Sequence, residues 1–288
     1  MDLNTPMTIP TGPTGEFRDP TTDPSVLALS QKVLEQSIPH TEMKPPEPDL
    51  VELPGGLEIN GKWVTTARVR ELNGADEEEI GRAEASGIPE RIIDSIIHAG
   101  VTHLGDEVAT PAMLDRLLIG DRDALLLAIR RVTYGPTVDF ERLLCTGCGT
   151  ELVVSYDLTD VPNSRLEQQS HEFQVTLKGG ETATVRMVTV GDQKAVLAAT
   201  RARELTQPEQ DTIMLARTVQ TITGRNGTRK IDGSQHAVRM MSMADRRKIV
   251  RELDRRRIGP RFEEAKVSCT NCGQDVGVPL LIQTLFRG

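Results

Sequence analysis

Aromatic side chains make up only 3% of this 288-residue sequence, so something other than aromatic bulk has to specify the fold. The length fills one large or two modest domains, and core size is not limiting. No apolar run approaches the ~20 residues a membrane helix needs, and the start of the chain lacks a basic segment followed by an apolar one. A cytosolic product with no membrane partner is the expectation. The phosphate-cradling G-x-x-x-x-G-K-[ST], the nucleophile elbow G-x-S-x-G and the zinc-protease H-E-x-x-H are all missing. Five histidines are scattered, and His98 and His103 fall on different helical faces. No catalytic residue and no small-molecule substrate site emerges, so a non-enzymatic role is expected.

Charge is unevenly placed. The formal total is -8, and residues 1–60 hold ten acids against three bases, a net -7. The rest reads as close to neutral, which argues against a general nucleic-acid binder. Residues 1–50 also contain nine of the seventeen prolines, including "PPEP" at 45–48, with little sustained apolar periodicity. Such a stretch builds no core of its own and is read as an extended, acidic, proline-rich arm. Its exception is "DPSVLALSQKVLEQSI", where Asp23 can cap, Pro24 suits a first turn, and Val26, Leu29 and Val33 share one face. A transient solvated helix and an arm docking on a neighbouring subunit both fit; on the second reading these three residues make the contact.

What the sequence does contain is a repeat. "GDRDALLLAIRRVTYGPTVDFERLLCTGCG" (120–149) aligns without a gap on "ADRRKIVRELDRRRIGPRFEEAKVSCTNCG" (244–273), an offset of 124. Asp121 matches Asp245, Arg131 matches Arg255, and Gly135-Pro136 matches Gly259-Pro260. Leu125, Leu126 and Ile129 match Ile249, Val250 and Leu253, each trio spaced for one helix face. Upstream, "ARVRELNGADEEE" (67–79) resembles "ATVRMVTVGDQKA" (183–195) at a shift of 116, so two helical turns or a loop are expected in between. Asn60-Gly61 and Asn226-Gly227 predict hairpin turns. "PERIIDSIIHA", "TPAMLDRLLIGDRDALLLAIRRV" and "TQPEQDTIMLARTVQTI" predict helices, the last with Thr206 and Glu209 in capping-box spacing. The expected architecture is α+β: an arm (1–50) and two tandem pseudo-symmetric repeats (51–160 and 161–288), each of strands and helices ending in a thiol-bearing hairpin.

The four cysteines fall two to a repeat, in "CTGCGTEL" and "CTNCGQDV". C-x-x-C-G between short apolar runs is the sequence form of a zinc knuckle, with Gly149 and Gly273 supplying a positive φ in the turn. One knuckle gives half a tetrahedron; the two together give Cys145, Cys148, Cys269 and Cys272, a four-cysteine zinc ribbon with structural Zn2+ and no open position. Two independent redox motifs would need each C-x-x-C to open a helix, whereas the following residues look strand-like. Structural disulfides do not suit a chain without a secretion signal.

"DRRKIVRELDRRRIGPR" (245–261) carries eight bases and three acids. Interleaved Glu252 and Asp254, and the lack of stacking aromatics, disfavour nucleic acid and favour a solvated or subunit-facing helix. Arg255, Arg256 and Arg257 are candidate partner contacts, able to receive an acidic segment from another copy or another protein.

With these motifs in place the sequence resembles the baseplate hub proteins of T-even-type bacteriophages. The resemblance runs in order from "VELPGGLEINGKWVTTARVRELNGADEEEI" through "DRDALLLAIRRVTYG", "RKIDG" and both C-x-x-C-G knuckles to "LIQTLF", covering about residues 51–288. The proline-rich arm and the terminal "LFRG" depart from the family pattern. The resemblance implies a structural component or assembly factor of a contractile tail baseplate, carried in the virion and assembled in the bacterial host cytoplasm. Its partners would be other tail and baseplate proteins, with further copies of itself possible. The competing class is a zinc-ribbon nucleic-acid-binding accessory protein.

Overall fold

The computed structural model describes residues 49–286. Val26, Leu29 and Val33 of the expected arm helix lie outside the described residues. The chain divides into two units, Met1–Pro45 and Pro46–Gly288, and the described residues fall in the second. Its first strand begins at Asp49, two residues before the expected start of the first repeat.

Strands β1 (Asp49–Ile59) and β2 (Lys62–Val69) form a hairpin, with Asn60 and Gly61 at φ 51° and 76° as an Asn-Gly turn requires. Helices α1 (Gly74–Ala85) and α2 (Pro89–Gly100) follow, then the short strands β3 (Val101–Leu104) and β4 (Glu107–Val108). The four strands make an antiparallel sheet in chain order. Helices α3 (Pro111–Arg116) and α4 (Ile119–Tyr134) lead to the hairpin β5 (Thr137–Leu144) and β6 (Glu151–Asp157).

After β7 (Asn163–Ser164) the same order returns. Strands β8 (Glu172–Thr176) and β9 (Thr182–Arg186) precede helices α5 (Val190–Arg203) and α6 (Gln207–Thr218). Then come β10 (Val219–Gly224) and β11 (Gly227–Lys230), completing a second four-stranded antiparallel sheet. Helices α7 (Gln235–Arg239) and α8 (Met243–Arg255) precede β12 (Gly259–Pro260), which pairs with β7. The hairpin β13 (Lys266–Ser268) and β14 (Asp275–Gly277) and helix α9 (Ile282–Phe286) close the described chain.

Three expectations are corrected by local packing. The helix expected over 110–132 breaks at Leu117 and Leu118, where Leu118 bridges Thr189 and Val190 N–H donates to the Leu117 carbonyl at 2.9 Å. Pairing across the two halves wins over helix propensity there. Helix α6 stops at Thr218 and Val219 begins a strand, because β10 completes the second sheet. The β10–β11 turn centres on Arg225 and Asn226, with Gly227 following at φ 104° as the first residue of β11. The extra length between the alignments is also resolved. α5 is two residues longer than α1, the β10–β11 hairpin is four residues longer than β3–β4, and the loop after it accounts for the last two.

The equivalent positions do equivalent work at helix starts. Arg70 makes a two-pronged ion pair with Asp76 (2.7 and 2.8 Å), and Arg186 makes the same pair with Asp192 (2.5 and 2.9 Å). Each carboxylate also accepts from the backbone N–H of its cap residue, Asn73 or Thr189, in a capping box. Burial raises the Asp192 pKa, but Arg186, the Thr189 amide and Arg217 together outweigh that and hold it below the ordinary value.

Two aliphatic cores fill the halves. One contains Leu57, Ala67, Val69, Ile96, Leu125 and Ile129; the other contains Val185, Leu215, Val219, Ile222 and Ile249. Between them the backbones of Gly120 and Gly259 touch: a Cβ on Gly120 would lie 2.0 Å from the Ile258 carbonyl oxygen, and one on Gly259 2.4 Å from the Gly120 Cα. Asp121 is fully buried at this junction. Its Oδ1 accepts from the Gly55 N–H at 2.6 Å, while Oδ2 has no partner among the described residues. Burial pushes its pKa up to about 7, against the opposing pull of the Gly55 and Gly56 amides.

Because the folded state keeps this proton to higher pH than the unfolded chain, the Asp121 contribution is present below pH ~4 and is lost as pH rises through about 7. Asp121→Asn removes that titration. In chemical denaturation from pH 4 to 8, the stability of wild type relative to the variant should fall by up to ~4 kcal/mol; a pH-independent difference would contradict the assignment.

Candidate metal centre

The two thiol-bearing loops are built alike. In the first, Cys145 N–H donates to the Thr150 carbonyl and Gly149 N–H to the Cys145 carbonyl, both at 2.9 Å. In the second, Cys269 and Gly273 make the same bonds, with Gln274 and Cys269 carbonyls, both at 2.8 Å. Gly149 and Gly273 sit at φ 72° and 73°, the left-handed conformation expected of them. The amide of Thr150 faces the Cys148 sulfur, those of Asn271 and Cys272 face Cys269, and that of Gln274 faces Cys272.

The loops meet sulfur to sulfur. Cys145 Sγ is 3.7 Å from Cys272 Sγ, Cys148 Sγ is 3.7 Å from Cys269 Sγ, and all four lie within 4.8 Å of one another. None is in a disulfide. Cys145 and Cys269 are buried while Cys148 and Cys272 face solvent, so each loop contributes one inner and one outer ligand. A third core wraps the inner pair with Leu143, Leu152, Tyr156, Ala265, Val276 and Leu285, drawing on both halves of the chain. Between the loops, Asn271 Nδ2 donates to Thr150 Oγ1 at 3.1 Å, and that oxygen lies 3.2 Å from Cys148 Sγ.

Four thiols this close cannot all ionise unaided. The Thr150 hydroxyl and amide and the Asn271 amide group draw Cys148 down to about 6. At Cys272 the Gln274 amide acts downward, but the neighbouring Cys148 and burial outweigh it and push the thiol up to about 12. A cation at the centre of the four sulfurs would remove that conflict, and the residues present are suited to hold one.

The other nominated residues stand apart in role. Arg255 and Arg256 reach Glu252 at 3.7 and 3.5 Å, Arg257 reaches Glu263 at 3.7 Å, and the Arg256 guanidinium lies 4.7 Å over the Phe173 ring. Sequence reasoning missed the buried pair Asp121 and Asp192. The repeat alignment carried the signal for both, since it matched Asp121 with Asp245 and the Arg70 segment with the Arg186 segment.

The fold and the site together define an α+β body with a cluster of four cysteines, two from each half, able to hold a metal ion. The chain belongs to the family described as T4 bacteriophage base plate protein, whose model matches residues 50–276. No curated protein and no solved structure matches it.

Replacing the two outer ligands tests the centre with least disturbance of the core. Cys148→Ser/Cys272→Ser should lose stoichiometric metal by elemental analysis and unfold ~10 °C or more below the metal-loaded wild type. Retained metal with unchanged thermal stability would rule the assignment out.

Proposed function

We propose that this baseplate protein is a structural component or assembly factor of the hub or wedge region of a contractile phage tail, and that it works by scaffolding and catalyses no reaction. The observation that carries the reading is the convergence of Cys145, Cys148, Cys269 and Cys272 from two hairpins about 120 residues apart. The reading takes the ion as zinc, which four-cysteine structural sites hold; a tetrahedral site with Zn–S bonds of ~2.3 Å has sulfurs ~3.8 Å apart, and the 3.7 Å of both cross-loop pairs supports it. Bound there, zinc supplies no chemistry beyond charge and cohesion, as a closed all-thiolate site leaves no position for substrate.

The body is a tandem duplication. Support comes from the repeated element order, the matched Arg–Asp pairs and the matched loops. Clamped halves present fixed surfaces to other baseplate proteins, and the arm of residues 1–48 gains affinity by ordering against a neighbour, with Val26, Leu29 and Val33 as its contact face. The protein is assembled in the host cytoplasm and carried in the virion tail. Mass spectrometry of purified virions with crosslinking should recover the chain attached to other tail proteins. Deleting residues 1–48 should lower its incorporation while leaving bound zinc unchanged; normal incorporation would remove the arm from the account.

The basic stretch 245–261 favours one rival, a zinc-ribbon protein acting on nucleic acid. Tight DNA binding with a steep salt dependence, and absence from tail particles, would support the rival.

A further inference from the structure

The near-neutrality of the body is a cancellation. Residues 49–160 carry 21 acidic and 10 basic side chains, a formal -11, whereas residues 161–288 carry 14 acidic and 21 basic, a formal +7. Two helices concentrate the difference. Helix α1 holds five acids and one base, and its counterpart α5 holds one acid and three bases. Helix α8 and the turn after it, residues 245–261, carry a net +5.

The matched helices act as an internal control. α4 buries ten of its residues, while its counterpart α8 buries Ile249 alone. At the offset of 124, Asp123, Ala124 and Leu127 of α4 become Arg247, Lys248 and Arg251. A face that is covered in the first half is therefore open and basic in the second. Beside it α6 and α8 bound a hollow of about 640 Å³ with an apolar side of Pro208, Met243 and Val250 and three arginines, Arg246, Arg247 and Arg251, against a single carboxylate, Asp211. Met243 is 69% exposed. Neither Arg247 nor Arg251 makes an ion pair among the described residues. An apolar floor under an arginine rim suits an acidic helix laid in a groove.

Helix α1 has that form. Glu77, Glu78 and Glu84 are exposed on it, and Gly81 stands among them in mid-helix. Glycine there weakens the helix, and a Cβ at Gly81 would meet nothing within 4 Å, so packing among the described residues gives no reason for it. A flat spot flanked by carboxylates lets another surface approach closely.

We propose that the α6–α8 groove of one molecule receives helix α1 of a second copy, joining acidic first half to basic second half. Because donor and acceptor surfaces differ, the contact is head-to-tail, and each molecule offers both ends to further copies. The charges set the encounter and register, and the Met243–Val250 floor against the Gly81 ridge supplies the close contact.

Sedimentation velocity on the full chain, loaded with zinc, tests this. At about 50 mM NaCl and ~100 μM protein, the mean mass should rise with concentration, and at about 500 mM it should return to monomer. Arg247→Glu/Arg251→Glu and Glu77→Lys/Glu84→Lys should each stay monomeric at low salt, while an equimolar mixture should associate again, since the reversed groove of one matches the reversed helix of the other. Gly81→Leu should keep or raise the unfolding temperature and lose association. A wild type that stays monomeric at low salt would overturn the proposal. So would association that survives reversal of α1, which would put another acidic segment in the groove. A charge-swapped mixture that fails to associate would overturn it too.

Discussion

Two pairs of sulfurs, each pair fixed by a tight hairpin loop, meet within van der Waals reach across a sequence gap of about 120 residues. Bringing them together closes a long loop, and the entropic cost of that closure has to be met by whatever forms at the meeting point. The side chains around Cys145 and Cys269 show how: Leu127, Val138, Leu158, Val161, Val276, Val278 and Leu285 come from both halves and form one buried cluster around the inner thiols. The halves also touch through the Gly120–Gly259 backbone contact and the Lys194 ammonium, which bridges Asp94 and Asp115 at 2.8 and 2.6 Å. These contacts fix one relative pose of the halves, and a metal held by the thiol cluster would add its binding energy to them.

The two halves share a plan and differ where each must do something of its own. Asp121 and Asp245 occupy equivalent helix starts, yet Asp121 is sealed at the junction while Asp245 is half-buried and accepts the Lys178 amide at 2.6 Å. Helix α4 is a core helix between two packed surfaces; α8 is amphipathic, with one covered face. The tail shows the same divergence in the knuckle hairpins, where exposed Leu144 and Val153 of the first correspond to Ser268 and Gly277 of the second. Common geometry with divergent surfaces suits the scaffolding role proposed for this protein.

Much of this plan was legible in the sequence, because the features that carried it are local. The C-x-x-C-G loops and the Asn60-Gly61 turn depend on residues within about six positions of one another, and both took the expected form. What could not be read was set from far away. The break at Leu117 and Leu118 depends on Thr189, the end of α6 depends on a strand pairing with β9, and the Asp121 environment depends on Gly55 and Ile258. The charge division was open to counting, but a sum over the whole body concealed it. The contact face of Val26, Leu29 and Val33 lies outside the described residues and stays a proposal.

The central claim is that one ion is shared by both halves through four thiolates and nothing else. X-ray absorption spectroscopy at the zinc edge of the purified protein tests this most directly. The account predicts one zinc per chain with four sulfur neighbours at ~2.3 Å. Nitrogen or oxygen in the first shell, or a metal-free protein whose cysteines are paired as disulfides, would contradict it.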